Sequence, residues 1–190
     1  MSDRSVTLPY VQDVLFPFWR NGMQSTASST LTNDEIVCGV GNAEGTRDDN
    51  CQPNQAFWGH SDPGNGVWNI GTFSYQHGAA TPEAADAAWM PKLKQAKQDL
   101  NAKALQKFGT GLSKAALLAG VDLYNQAPAA AADYVMHLAT SDPTVEQIVD
   151  ARTKSFYEDG VLNAPGLGNS HQRVWADQMR RVNDLLKAVK

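Results

Sequence analysis

Apolar positions recur at three- and four-residue spacing over most of the chain, and the places where that period fails divide it into elements. Ile36, Val40 and Ala43 share one face of a segment that opens on a capping-box pattern, Thr32-Asn33-Asp34-Glu35. Gly45 is a natural stop, so Glu44 falls in the last turn. Upstream, residues 8–21 predict an amphipathic helix that Pro17 kinks or ends, and the Ser/Thr-rich run 23–30 predicts a loop.

The helical period returns at Thr81-Pro82, a cap followed by proline at the first helical position. Trp89, Leu93, Ala96 and Leu100 mark this helix, which Pro91 should bend or split. Its Lys-rich face over 92–107 reads as solvated surface. Phe108-Gly109-Thr110-Gly111 breaks the pattern. Ser113 should cap an apolar helix over 115–125, followed by a short helix over 129–139. Asp142-Pro143 should start another that runs to about Tyr157, and residues 159–170 read as a loop. In the last helix Trp175, Met179, Val182, Leu186 and Val189 form the stripe expected to be buried.

Residues 56–78 differ from the rest. They combine turn formers (Asp62-Pro63-Gly64-Asn65-Gly66) with the aromatics Phe57, Trp58, Trp68, Phe73 and Tyr75, which predicts short strands and tight turns. The expected fold class is therefore α+β, mostly α, with a small β or loop insert directly after the helix that ends in Glu44. At 190 residues one domain is expected: an N-terminal helix and linker over 1–31, the Glu44 helix over 32–46, the insert over 47–80 and a helical lobe over 81–190.

Charge is uneven. Residues 1–90 carry 3 Lys/Arg against 10 Asp/Glu, and residues 91–190 carry 13 against 10. Neither half has the basic patch of a nucleic-acid binder. No apolar run is long enough to span a membrane, and the first residues lack the basic and apolar regions of a signal peptide. Cys38 and Cys51 could form one bridge from helix to loop or remain two free thiols. His60, His77, Cys38 and Cys51 match no zinc spacing, and residues 62–66 lack the alternating oxygen ligands of a calcium loop. No metal and no cofactor are expected. The nucleophile pattern Gly-x-Ser-x-Gly is absent.

Glu44 is the candidate with chemistry. A carboxyl at a helix C-terminus faces the negative end of the dipole, and apolar surroundings add a desolvation penalty. Both effects favour the protonated form that a general acid needs. Asp62, Asp48 and Asp49 follow it as candidates for a second carboxylate, with Asp62 preferred. Trp58, Trp68, Tyr75 and Tyr124 could stack on sugar rings.

Three short motifs in this order resemble the lysozyme superfamily, which includes lysozymes, lytic transglycosylases and chitosanase-like relatives. Ala43-Glu44-Gly45-Thr46 is similar to the Glu-Gly-Thr helix end of lambdoid phage lysozymes, where the Glu is the catalytic acid. Gly71-Thr72-Phe73-Ser74-Tyr75-Gln76 resembles the Gly-Leu-Met-Gln stretch that lines the cleft of soluble lytic transglycosylases, with Ser74 where that pattern has Gln. Leu123-Tyr124-Asn125-Gln126-Ala127-Pro128 is similar to their Ala-Tyr-Asn-Ala-Gly-Pro motif, with Gln126 in place of a small residue. Arg152 to Tyr157 with Trp175 and Arg180-Arg181 is a weaker match to a pattern in some peptidoglycan hydrolases.

The resemblance implies a lysozyme-like helical domain whose insert forms one wall of a cleft. It implies cleavage of the β-1,4 bond of peptidoglycan, with Glu44 as general acid and Asp62 as partner if the reaction is hydrolysis. A lytic transglycosylase would need no second carboxylate. Thr46, Ser74, Tyr75, Gln76, Tyr124 and Asn125 would contact substrate. The alternatives are a chitosanase- or chitinase-like glycosidase, and a non-catalytic cell-wall, virion or secretion-system protein keeping the fold. Action at the bacterial cell wall or periplasm, with delivery by a holin, virion or secretion system, follows from the same resemblance and the missing export pattern.

Overall fold

A computed structural model describes residues 30–62 and 66–189. The expected helix over 8–21 and the loop after it lie outside the described residues. Six helices carry the described chain: α1 Asn33–Glu44, α2 Pro82–Phe108, α3 Lys114–Gln126, α4 Pro128–His137, α5 Val145–Lys154 and α6 His171–Leu186. Two antiparallel pairs of two-residue strands accompany them, β1 His60–Ser61 with β2 Trp68–Asn69, and β3 Tyr157–Glu158 with β4 Val161–Leu162. The fold is mostly α with small β parts, as the hydrophobic pattern predicts.

Helix α3 is the centre. Residues 116–123 are all buried, so it is enclosed on every side. It packs against α1, α2, α4, α5 and α6. Small residues allow the close approaches: a Cβ added at Gly120 would press on Leu100 and Tyr134, and one at Gly39 on α1 would press on Leu118.

The N-terminus of α1 is the predicted capping box, with the Thr32 hydroxyl accepting from the Glu35 N–H and the Glu35 carboxylate accepting from the Thr32 N–H. Its C-terminus is Gly45 at φ 72°, a left-handed cap that turns the chain sharply after Glu44. Beyond it, Cys38 and Cys51 are joined, closing the choice the sequence left open.

Four expectations are corrected. Of the two outcomes expected at Pro91, the split does not occur: α2 is one 27-residue helix. Pro91 and Ala87, whose carbonyl it frees, are both exposed, so water can take the lost bond. The lysines of α2 are not simply solvated: Lys103 Nζ donates to Ala132 O, and Lys107 Nζ donates to the carbonyls of Val135, Met136 and Leu138, capping the end of α4. Helix α5 starts at Val145, because Thr144 and Gln147 make a capping box after Pro143, and it stops at Lys154 to leave room for the β3–β4 hairpin in the expected loop. On α6 the buried stripe is Val174, Gln178, Arg181, Val182 and Leu185, while Trp175 is 41% exposed. The polar Gln178 and Arg181 face inward because buried charge awaits them there.

The Cys38–Cys51 bridge spans 13 residues. Reduction, or Cys51→Ser, should cost roughly 2–3 kcal/mol, from the loop entropy returned to the unfolded chain. A fall in melting temperature of about 5–10 °C in a thermal scan with and without reductant is the expected result.

Candidate functional site

Glu44 is the last residue of α1, and its side chain is 15% exposed. Its place beside the apolar face of α1 predicts apolar surroundings, but polar partners meet its carboxylate. Arg181 NH2 donates to its Oε1 at 2.5 Å, and Asn125 Nδ2 donates to the same oxygen at 3.0 Å. Among the described residues both bonds fall on Oε1.

Arg181 arrives from α6 because of Asp122. This aspartate sits in the fully buried stretch of α3 with no exposed surface. An unpaired carboxylate there would be prohibitive. Arg181 meets it with two bonds, Nε to Oδ2 at 2.9 Å and NH2 to Oδ1 at 2.7 Å. Arg152 of α5, itself fully buried, adds a bond from NH2 to Oδ2 at 2.8 Å. Its remaining donors go to Ala119 O, to Gln178 Oε1 at 2.6 Å and to Gln126 Oε1 at 3.3 Å. Gln178 then donates to Gln126 and to Asp177. Four helices therefore converge on one continuous polar network that ends at Glu44. Burial acts to raise the Asp122 carboxyl, but the charges of Arg181 and Arg152 outweigh it and hold the group below its ordinary value. Burial draws the Arg152 guanidinium down, against the pull of Asp122. Arg181 is buried too, yet Asp122 and Glu44 together hold it well above its ordinary value.

Asn125 joins this network to open space. Its Nδ2 donates to Glu44 and, at 3.4 Å, to Phe73 O, while its Oδ1 accepts from Trp89 Nε1 at 2.7 Å. It also lines a cavity of about 260 Å³ together with Phe73, Ser74, Tyr75, Gln76, His77, Trp89, Gln126 and Pro128. Tyr75, His77 and Trp89 are in aromatic contact there, with centroids 5.2–6.0 Å apart. Ser74 holds φ 53°, and its buried Oγ has no hydrogen-bond partner among the described residues.

The insert is fastened to the end of α1 beside Glu44. Asn54 Nδ2 donates to Gly45 O at 2.8 Å, and the Asn54 N–H donates to Thr46 O. The Thr46 hydroxyl, fully buried, donates to Thr72 O at 2.6 Å. Arg47 Nε donates to the Thr72 hydroxyl, and Asp86 of α2 accepts from the Thr72 N–H and hydroxyl. Burial raises the Asp86 carboxyl above its ordinary value, although the Thr72 bonds and Arg47 work against it.

The residues singled out in the sequence thus separate. Ser74, Tyr75, Gln76 and Asn125 meet at one cavity, with Glu44 one hydrogen bond behind Asn125. Tyr124 lines a separate cavity with Ala96, Leu100 and Lys103, and its ring lies 6.4 Å from that of Trp89. Thr46 holds the insert in place and reaches no solvent. Asp62 belongs to the β1–β2 hairpin, where its N–H donates to Val67 O. Asp48 caps its own turn through the N–H groups of Asn50 and Gln52, and Asp49 pairs with Lys187. No group of three or more His, Cys, Asp or Glu suited to a metal ion occurs among the described residues. Asp122, Gln178 and Trp89 were not singled out as site residues. The one signal for Asp122 is a lone acid inside an otherwise apolar run, Ala115 to Leu123.

Neither a family model, nor a characterised protein, nor a solved structure matches this chain.

Replacing Asp122 with Asn leaves Arg152 buried without its anion and should cost about 3–5 kcal/mol in a denaturant melt. The pH dependence follows from the same group. The folded carboxyl binds its proton less readily than an unfolded aspartate, so acid favours unfolding. Its contribution is complete above about pH 4 and is lost as pH falls further. Melting temperatures measured from pH 7 to pH 3 should drop more steeply for the wild type than for Asp122→Asn.

Proposed function

We propose that the protein is a glycosidase that cleaves the β-1,4 bond of peptidoglycan, with Glu44 as general acid. The observation that carries this reading is Asn125, which binds Glu44 with one atom and lines the cavity formed by Ser74, Tyr75, Gln76 and Trp89. Glycosidic cleavage needs a positioned carboxyl to protonate the leaving oxygen, beside surfaces that hold sugar rings. Arg181 and Asn125 both bond Oε1 of Glu44, which leaves Oε2 without a bond among the described residues; Oε2 is the oxygen this reading assigns to the leaving group. The rigid network behind Arg181 supplies the positioning that such a step requires. Gln76 offers a polar contact to sugar hydroxyls, and Trp89 and Tyr75 offer aromatic faces. A hydrolysis would take a partner carboxylate, for which Asp62 of the β1–β2 hairpin is the sequence candidate, and a transglycosylase proceeds without one.

One observation favours a second reading, a chitosanase-like glycosidase. Residues 48–91 contain no Lys or Arg, and Arg47 at the start of the insert is turned to Thr72, Cys51 and Asp86, so this stretch offers few cations to an anionic polymer. A polymer of cationic amino sugars suits that surface.

The test is digestion of purified peptidoglycan and of soluble chitosan by the wild type and by Glu44→Gln, with products read by mass. Loss of at least a hundredfold in rate is expected for Glu44→Gln, the scale of a missing general acid. Anhydro products identify a transglycosylase, and reducing-end products identify a hydrolase. Equal rates in both proteins would remove Glu44 from the mechanism, and a wild type without products on either polymer would favour a binding or structural role.

A further inference from the structure

Another cavity, of about 370 Å³, exceeds the one beside Asn125 and falls in the size range of small-ligand sites. Gln126 lines both cavities, and Glu44 lines neither. The sequence leaves this space open. Helix α4 begins with Pro128 and four alanines, whose side chains are single methyl groups. Two of them, Ala129 and Ala130, line the cavity, and the chain that follows α5 supplies most of the remaining lining. That chain is held by its own bonds. The Asn163 N–H donates to Phe156 O at 2.7 Å, and the Ala164 N–H donates to Asn169 Oδ1 at 2.7 Å. The Asn169 N–H returns to Ala164 O. The cavity is therefore preformed, and a ligand would order little of the chain on entering it.

Its floor and its mouth differ in chemistry. The buried lining is Ala130, Phe156, Ala164 and Ser155, and the Ser155 hydroxyl already donates to Ala151 O. The exposed lining includes two carboxylates, Asp133 and Glu158. Asp133 makes no hydrogen bond or ion pair among the described residues. Glu158 accepts one bond, from Asn163 Nδ2 at 3.1 Å, and meets no cation there. No Lys, Arg or His lines the cavity. Lys154, at the end of α5, is held by Asp150 at 2.7 Å. The start of α4 also borders the space and carries about half a positive charge, less than two carboxylates supply. The mouth therefore attracts a cation and repels an anion, while the floor favours an apolar group.

We propose that this cavity binds a small cationic amine with an apolar body, seated on Ala130, Phe156 and Ala164 with its ammonium group at Asp133 and Glu158. The division of the lining selects this ligand. A neutral apolar molecule would leave both carboxylates unused, and a carboxylate or phosphate would be repelled at the mouth. A polar cation without an apolar body would gain nothing from the floor. An aliphatic amine has this chemistry, and so has the free amino terminus of a peptide whose first residue is apolar. The proposal is independent of the glycan reading, because neither Glu44 nor the insert contributes to the lining.

Amide NMR of the isotope-labelled protein tests it, with hexylammonium, hexanol and hexanoate as probes that share an apolar body and differ in charge. Hexylammonium should shift the amides of Ala129, Ala130, Phe156 and Ala164 and saturate at the roughly millimolar scale of so small a ligand. It should bind about fivefold more tightly than hexanol, and hexanoate should not bind. Asp133→Asn and Glu158→Gln should each weaken hexylammonium about threefold, the scale of one partly exposed ion pair, and leave hexanol unchanged. Both residues are exposed, and an unchanged hexanol response shows that the cavity in each variant is intact. Equal binding of hexylammonium and hexanol would overturn the proposal. So would hexylammonium binding that neither variant weakens, a preference for hexanoate, or shifts that never saturate. Leucinamide then separates the two sources of the amine: tighter binding than hexylammonium identifies a peptide amino terminus, and weaker binding a free aliphatic amine.

Discussion

A carboxylate with no exposed surface lies in the middle of the most buried helix, and the rest of the described structure is arranged around it. Asp122 cannot stay charged in that position unless cations reach it. Arg152 and Arg181 do so from α5 and α6, and each brings a long side chain through the core. The spare donors of Arg152 fix where Gln126, Gln178 and Ala119 must lie. The network is satisfied almost throughout, which lets buried charge specify one packing arrangement of α3, α5 and α6. Replacing it by apolar residues could give equal stability, so stability alone does not account for it. Its outward end does: Arg181 emerges from Asp122 to bond Glu44 at the terminus of α1.

A second set of bonds fixes the insert with respect to that terminus. Too short in its strands to be stable alone, the segment after Gly45 depends on anchors at its ends. Thr46, Arg47 and Asn54 hold it from α1, Asp86 holds Thr72 from α2, and the Cys38–Cys51 bridge closes the first loop. Asn125, at the end of α3, bonds both the Glu44 carboxylate and the Phe73 carbonyl. The two systems, one built on Asp122 and one on Thr72, meet at this amide. It is the point at which a cavity lined by the insert comes into register with a carboxyl fixed by the core.

Much of this could be read in advance where the physics is local. The α1 capping box, the Gly45 stop, the Thr81-Pro82 start of α2 and the small β insert follow from neighbouring residues. Local reasoning failed where a distant partner changed the meaning of a residue. On α6 the apolar count favours a stripe through Trp175, Met179, Val182, Leu186 and Val189. Val182 is buried and Met179, Leu186 and Val189 pack against the core, but Trp175 is exposed and Gln178 and Arg181 turn inward, because Arg152 and Asp122 need them. On α2 the lysines look solvated until α4 ends against them with open carbonyls. Glu44 could be picked out by its place at a helix end, but not its bond to Arg181, which lies 137 positions away.

The sequence by itself determined the elements and their order: where helices begin and end, where the period breaks, and which segment cannot be helical. These depend on interactions within about four residues, which spacing and capping chemistry encode directly. The tertiary structure alone decided which polar groups are buried, that Cys38 and Cys51 pair, and that Ser74, Tyr75, Gln76 and Asn125 share one cavity while Tyr124 and Thr46 do not. Those outcomes depend on charge satisfaction and packing between segments far apart in the chain, and no local pattern records them.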